Sequence, residues 1–389
     1  MVLARAHLRD GCLRVAAMAC VAASSISAVT LSACGETAQK APAACDSPAL
    51  AVVAASDYSA SEIVVLRADG VGPPTTGIDL GGDPVLSVSR GRCFFVVRDH
   101  DLLVELDPRC GAPIRKIATG DGVTSDNPQD VAVSDDGSLF VPKFRTGDLS
   151  VLRPSGARDV VHFGSFDPDG NAQPSSATSV TTNGAEKIWV TLERLDDRNG
   201  FVPSGLPSLV VRVDPVTLAI DGQVTLAGQD PFGLAVPFGG ALFYAEPGRF
   251  DSVGEMNAGV ERLDPEAMTS ALVVREKDLG GSVAQVAVTE GCAAAIVADA
   301  TKVNATALVT FDPITGNIHT TAAASPLRSA GYDLEGLTFA DGVLYVGDRR
   351  RAATGYPIHA FAVGADCTLS ARPDTLFLPQ KPVAIRSPR

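Results

Sequence analysis

The chain has 389 residues, among them 37 Gly, 26 Pro and 8 Cys, and a formal charge of -13 at pH 7. So acidic a body repels phosphate backbones, and no cluster of Lys and Arg reverses the sign locally, which excludes nucleic acid as the expected partner. Gly and Pro punctuate the chain often, Ala and Val supply most of the apolar residues, and long runs at helical spacing are absent beyond residue 34; this excludes a helical bundle and points to β-structure.

Residues 1–33 carry Arg5, Arg9 and Arg14 against Asp10, followed by an apolar stretch from Val15 to Ala33. A basic region, an apolar core and small residues before a cleavage point make an export signal. Its end, Leu31-Ser32-Ala33-Cys34, resembles the bacterial lipobox, which implies that Cys34 takes a diacylglycerol and becomes the first mature residue. A plain secreted protein and an uncut membrane anchor are the alternatives. Losing residues 1–33 would take the charge to about -15. Acyl chains would hold an otherwise water-soluble domain at the envelope surface, and Gly35 favours the outer membrane in a host that has one. Residues 34–48, small, polar and Pro-containing, read as the lipidated cysteine and a flexible tether. Residues 49–389 read as one domain.

That domain begins with strands over 50–55 and 63–66 and a candidate third over 76–80, with no inner strand before them. Residues 127–154 (NPQDVAVSDDGSLFVPKFRTGDLSVLRP) give the clearest unit: strands at 131–133, 139–141 and 149–152, the first two joined by an Asp135-Asp136-Gly137 turn. Weak copies start at Pro84, Pro128, near Ser176, at Pro231, near Val283 and near Leu334, a period of roughly 45 to 55 residues, in the range of propeller blades. Their second strands align at Phe95-Val96-Val97, Phe140-Val141-Pro142, Trp189-Val190-Thr191, Phe243-Tyr244-Ala245, Ile296-Val297-Ala298 and Tyr345-Val346-Gly347. Third strands run into Asp-Pro turns at Asp107, Asp214, Asp264 and Asp312. Pro382-Val383-Ala384-Ile385 has the pattern of an inner strand, the one element the first repeat lacks. The expected fold is therefore all-β: a seven-bladed β-propeller closed by a C-terminal strand that completes the N-terminal blade.

Trp189-Val190-Thr191-Leu192, Tyr345-Val346-Gly347-Asp348 and Asp312-Pro313-Ile314-Thr315-Gly316 resemble the signature strand and third-strand turn of the bacterial YVTN-type and NHL-type propellers. The resemblance implies a fold. Propellers of this kind serve as binding platforms, structural envelope proteins or enzymes, so function rests on the site.

Once the signal and Cys34 are set aside, Cys45, Cys93, Cys110, Cys292 and Cys367 remain. An exported protein permits disulfides. Cys93 and Cys110, at the same end of one blade, are the expected first pair, and Cys45 and Cys367, where the last blade abuts the first, the second; Cys292 reads as an inert core thiol. No Cys-x-x-Cys spacing favours a metal. The histidines His100, His162, His319 and His359 are scattered, and no nucleophile elbow, Walker loop or Gly-x-Gly-x-x-Gly is present.

In a propeller the loops joining second to third strands share one face with the loops between blades. The longest insertions fall there, at 193–208 and 245–259, with a triple arginine in 347–357. Glu193, Arg194, Asp196, Asp197, Arg198, Glu246, Arg249, Asp348, Arg349 and Arg350 are the candidate binding residues; they could hold a polar ligand, a protein partner or one another. Polar residues at inner-strand starts (Gln129, Asp130, Asp230, Gln285, Asp333, Glu335) should point to the central channel. Converging carboxylates there could bind calcium, and gluconolactonase-like propellers, which this pattern resembles in part, use such a metal for hydrolysis. Asp130 and Glu335 would then be ligands, although Thr178 and Ser179 stand where that family has asparagine; otherwise these carboxylates are solvated channel lining. Asp167-Pro168-Asp169-Gly170-Asn171 lacks the EF-hand spacing and reads as a turn. The reading favoured is an envelope lipoprotein whose rigid propeller binds a protein or glycan partner without cofactor or covalent chemistry. A calcium-dependent lactone or ester hydrolase and a purely structural component are the alternatives.

Overall fold

A computed structural model describes residue 45 and residues 49–75, 80–120, 125–249, 257–299 and 305–388. The export signal, Cys34 and most of the tether lie outside the described residues. Seven antiparallel sheets stand around a ring as propeller blades. Blade 1 is built from both ends of the domain: Pro382–Arg386 is innermost, followed by Ala51–Ser56, Ser61–Arg67 and Gly70–Val71. Val53 pairs with Ile385 and Ala54 with Ala384, so the C-terminal strand completes the first blade. Its outer strand is Gly70–Val71; most of the 76–80 candidate lies outside the described residues.

Blade 3 contains the clearest unit of the sequence, as Ala132–Val133, Leu139–Lys143 and Asp148–Leu152, and adds a fourth strand, Arg158–His162. Other blades carry equally exposed outer strands, such as Pro113–Ala118 in blade 2 and Ile220–Thr225 in blade 4. These strands carry few buried residues, so alternation of apolar and polar side chains is faint in them.

The core is divided among the joints between blades. Seven hydrophobic clusters occur, one in each seam. The pleat explains how one strand serves two of them. In Arg92–Val97, Phe95 and Val97 pack towards blade 1 whereas Phe94 and Val96 pack towards blade 3. In Ala185–Leu192, Ile188 and Val190 face blade 3 and Trp189 faces blade 5. Second strands are therefore apolar on both faces, which is why their bulky triplets stand out in the sequence.

The Asp-Pro turns fall on the lower face, and their carboxylates accept backbone N–H groups two and three residues on: Asp214 from Val216 and Thr217 at 3.0 and 2.9 Å, Asp312 from Ile314 and Thr315 at 2.8 and 2.7 Å. On that face Arg90 joins three blades, meeting Asp135 at 2.5 Å, Glu186 at 2.6 Å and the Val133 carbonyl at 2.9 Å.

The cysteines pair differently from expectation. Cys45 bonds Cys110 and Cys292 bonds Cys367; Cys93 is a free thiol. The pleat decides it: Cys93 turns into the seam with blade 1 among Val52, Ile63 and Leu86, where burial pushes its thiol up to about 12. Cys110, past its turn, is left facing the N-terminal segment. Cys292 opens the second strand of blade 6 and meets Cys367 in the third-to-fourth-strand turn of blade 7 on the same lower face. It is a cross-link between blades and not an inert thiol.

Candidate binding face

The upper face holds the second-to-third-strand connections and the connections between blades. The longest described connection, 193–208, is folded. Leu195–Asp196 pairs with Val202–Pro203, and the reversal between them is a single helical turn, Asp197–Asn199, capped by Asp196, whose carboxylate accepts N–H groups of Arg198 and Asn199 at 3.1 and 3.2 Å. Phe201, at the tip, lays its ring 5.6 Å from that of Phe144 on blade 3. The base is tied down by the Leu195 N–H to Gln173 Oε1 at 2.9 Å, Arg194 Nη1 to the Pro207 carbonyl at 2.8 Å, and the Ser208 hydroxyl to the Glu193 carbonyl at 3.0 Å. Between this hairpin and the connection at Asp167 lies a pocket of about 420 Å³, lined by Asp167, Asp169, Leu195, Asp196, Arg198 and Leu206 among others. Asp167 is 8 % exposed, with Arg194 Nε 3.8 Å from its carboxylate, and burial raises its pKa, opposed by the Asp169 backbone N–H and reinforced by the Asp169 carboxylate.

The charges of this segment thus engage one another only in part. Asp196 caps its own turn, Arg194 turns inward to Asp167, and Glu193 is buried at 5 % exposure. Arg198 stays exposed at the pocket, and Asp197 lies in the same turn.

A second polar group stands at the channel mouth. Arg349 Nη1 bonds Glu335 Oε2 at 2.6 Å and the guanidinium lies 5.2 Å from the Tyr58 ring. Burial raises the Glu335 pKa, with Arg349 and Arg98 opposing it. Arg98 pairs with Asp83 and donates to Gln129 Oε1 at 3.0 Å. Tyr332 stands near the same Glu335, its hydroxyl pKa raised by burial. The triple arginine is likewise spoken for: Arg350 clasps Asp348, which His359 also meets at 3.1 Å, and Arg351 lies 6.0 Å from the Tyr356 ring. Asp348 is 2 % exposed; burial opposes its charge, but hydrogen bonds from His359 and Arg350 hold it well below the usual carboxylate range.

Asp130 and Glu335 enter separate hydrogen-bond sets. Both Asp130 oxygens accept backbone N–H groups, from Val131 at 2.8 Å and Ala177 at 2.9 Å, and burial raises its pKa, opposed by the Ser87 hydroxyl. Arg386 of the closing strand bears on it electrostatically. Among the described residues the one group of three ligand-type side chains close enough to share an ion is Cys45, Asp107 and Cys110, whose sulfurs form the disulfide. Asp130, with its oxygens taken, and Glu335, beside a guanidinium, make a poor fit to calcium, and no step is derived through one.

Glu246 ends the second strand of blade 5, fully buried with Glu261, and Arg249 beyond it is exposed; residues 250–256 lie outside the described residues. Sequence reading missed Tyr58, Tyr332 and Glu261. Glu261 had one signal: an acid between Val260 and Leu263 in a strand facing two seams.

No protein-family model matches the chain, nor does any curated protein. Solved structures do. A streptogramin B lyase aligns with TM-score 0.50 and 13% identity over 77% of this chain and 86% of that one. The WD40 repeats of RRP9 align with TM-score 0.51 and 11% identity over 86% of each chain. At these identities the likeness is one of fold, a β-propeller.

Proposed function

We propose that this chain is an exported, lipid-anchored propeller that binds a protein partner through its upper face, without chemistry of its own. The observation that carries this reading is the 193–208 segment, built as an anchored hairpin over a pocket instead of a loose loop: a rigid scaffold presenting a shaped, polar surface is what recognition needs. The disulfides Cys45–Cys110 and Cys292–Cys367 fit an oxidising compartment, as export requires. Cys34 would hold the lipid and residues 35–48 the tether.

A photo-crosslinking residue placed at Arg198 should capture one envelope protein in living cells, whereas the same residue at Val216, 82 % exposed on the lower face, should not. Equal labelling from both positions would end the partner-binding reading. Cys34→Ser should move the protein from the membrane to the soluble fraction; retention at the membrane would end the lipid anchor and leave the binding face untouched.

A further inference from the structure

Glu246 is 0 % exposed, and neither oxygen of its carboxyl group has a hydrogen-bond donor among the described residues. Its neighbour is a second buried carboxyl group, that of Glu261 on the adjoining strand, where Tyr244 pairs with Glu261 and Glu246 with Gly259. Glu261 is fixed from outside the blade: Oε1 accepts the Ala227 N–H at 2.8 Å and Oε2 the Gly228 N–H at 2.7 Å, both from the connection out of blade 4. Glu246 Oε2 fills the space in front of Gly228, 1.3 Å from where a Cβ would stand. Both carboxyl groups therefore lie against Gly228, close enough for Glu261 to bear on Glu246.

Two carboxylates cannot hydrogen-bond, because both only accept, and in so dry a place two adjacent negative charges cost several kcal/mol. Something positive must lie between them. Among the described residues, the titratable groups that bear on the pair are Asp230 from the same connection and the Tyr244 phenol from the second strand; ionised, both would only add negative charge. We propose that Glu246 and Glu261 share a single proton at neutral pH, a latch that holds the 226–230 connection against blade 5 beneath the upper face and opens when the proton is lost.

The sign follows from burial and from Glu261 and Asp230, all of which raise the Glu246 pKa well above that of an ordinary glutamate. The stabilisation is complete below the ordinary value and is lost as pH rises through the folded one. Infrared spectra of the full chain with carboxyl-labelled glutamate should show a protonated carboxyl band at neutral pH that bleaches on alkalinisation. Glu246→Gln, whose amide can donate to Glu261, should remove the band and flatten the decline of unfolding midpoint as pH rises above the ordinary glutamate range, by roughly one proton's worth of slope. Absence of the band from the unsubstituted protein overturns the proposal, and that measurement needs no variant to fold. So does a calcium ion retained after buffer exchange and lost in Glu246→Gln, since a cation would then be the bridge.

Discussion

At Asp348 a carboxylate is buried at 2 % exposure, and hydrogen bonds from Arg350 and His359 keep it charged. Because its pKa is held low, its contribution is present above the ordinary aspartate value and lost as pH falls through the folded one. Asp348→Asn should cost about 1–3 kcal/mol at neutral pH and shrink the loss of stability in acid; urea titrations across that range would test both. Gly228→Ala should cost a similar ~1–3 kcal/mol, because the new methyl group would displace the Glu246 carboxyl; a midpoint equal to that of the unsubstituted protein would contradict the packing described. Residues of this kind were half legible. Asp348 and Glu246 could be placed on the upper face from the repeat register, but their partners could not, because those come from other strands or blades: Glu261 from the next strand, Gly228 from the connection, His359 eleven residues on. Cys93 failed for a related reason. Chain position showed which end of the blade it occupies, but only the pleat direction shows which seam it faces.

Strands were legible in proportion to their burial. Second strands such as Arg92–Val97 and Val343–Asp348 bury apolar side chains in two seams, so their bulky triplets are conspicuous. Outer strands such as Arg158–His162, with one buried residue, are hidden among turns. The 193–208 segment was recognisable as long and charged; its hairpin brings Phe201 against Phe144 of another blade, a contact no local pattern announces. The closing strand was legible because its pattern matched inner strands and the first blade lacked one. Removing residues 381–389 should destabilise the whole ring, since Ile385 packs in the seam between blades 7 and 1 and Val383 in the seam between blades 1 and 2. A truncated chain that melts like the intact one would refute this.

Over the whole molecule, the covalent braces cluster around the point of closure. Cys292–Cys367 joins blades 6 and 7, Cys45–Cys110 joins the approach to blade 1 with blade 2, and Pro382–Arg386 lies between these joints. The disulfides close loops of 65 and 75 residues, worth about 4 kcal/mol each in the chain-entropy account. Reduction should therefore lower the unfolding midpoint by several degrees, whereas Cys93→Ser should alter redox sensitivity not at all; equal sensitivity of oxidised and reduced protein to heat would count against the pairing.

Ring closure also sets a timetable. Ala51–Ser56 is made long before its inner partner, Pro382–Arg386, with Gln380 reaching back 318 positions to Glu62. A growing chain can shape its middle blades in turn, yet the first blade waits for Pro382–Arg386. Until then, Ala51, Val53 and Ala55 have no completed seam to enter. Such a chain would remain an open row of blades for as long as that strand has not arrived.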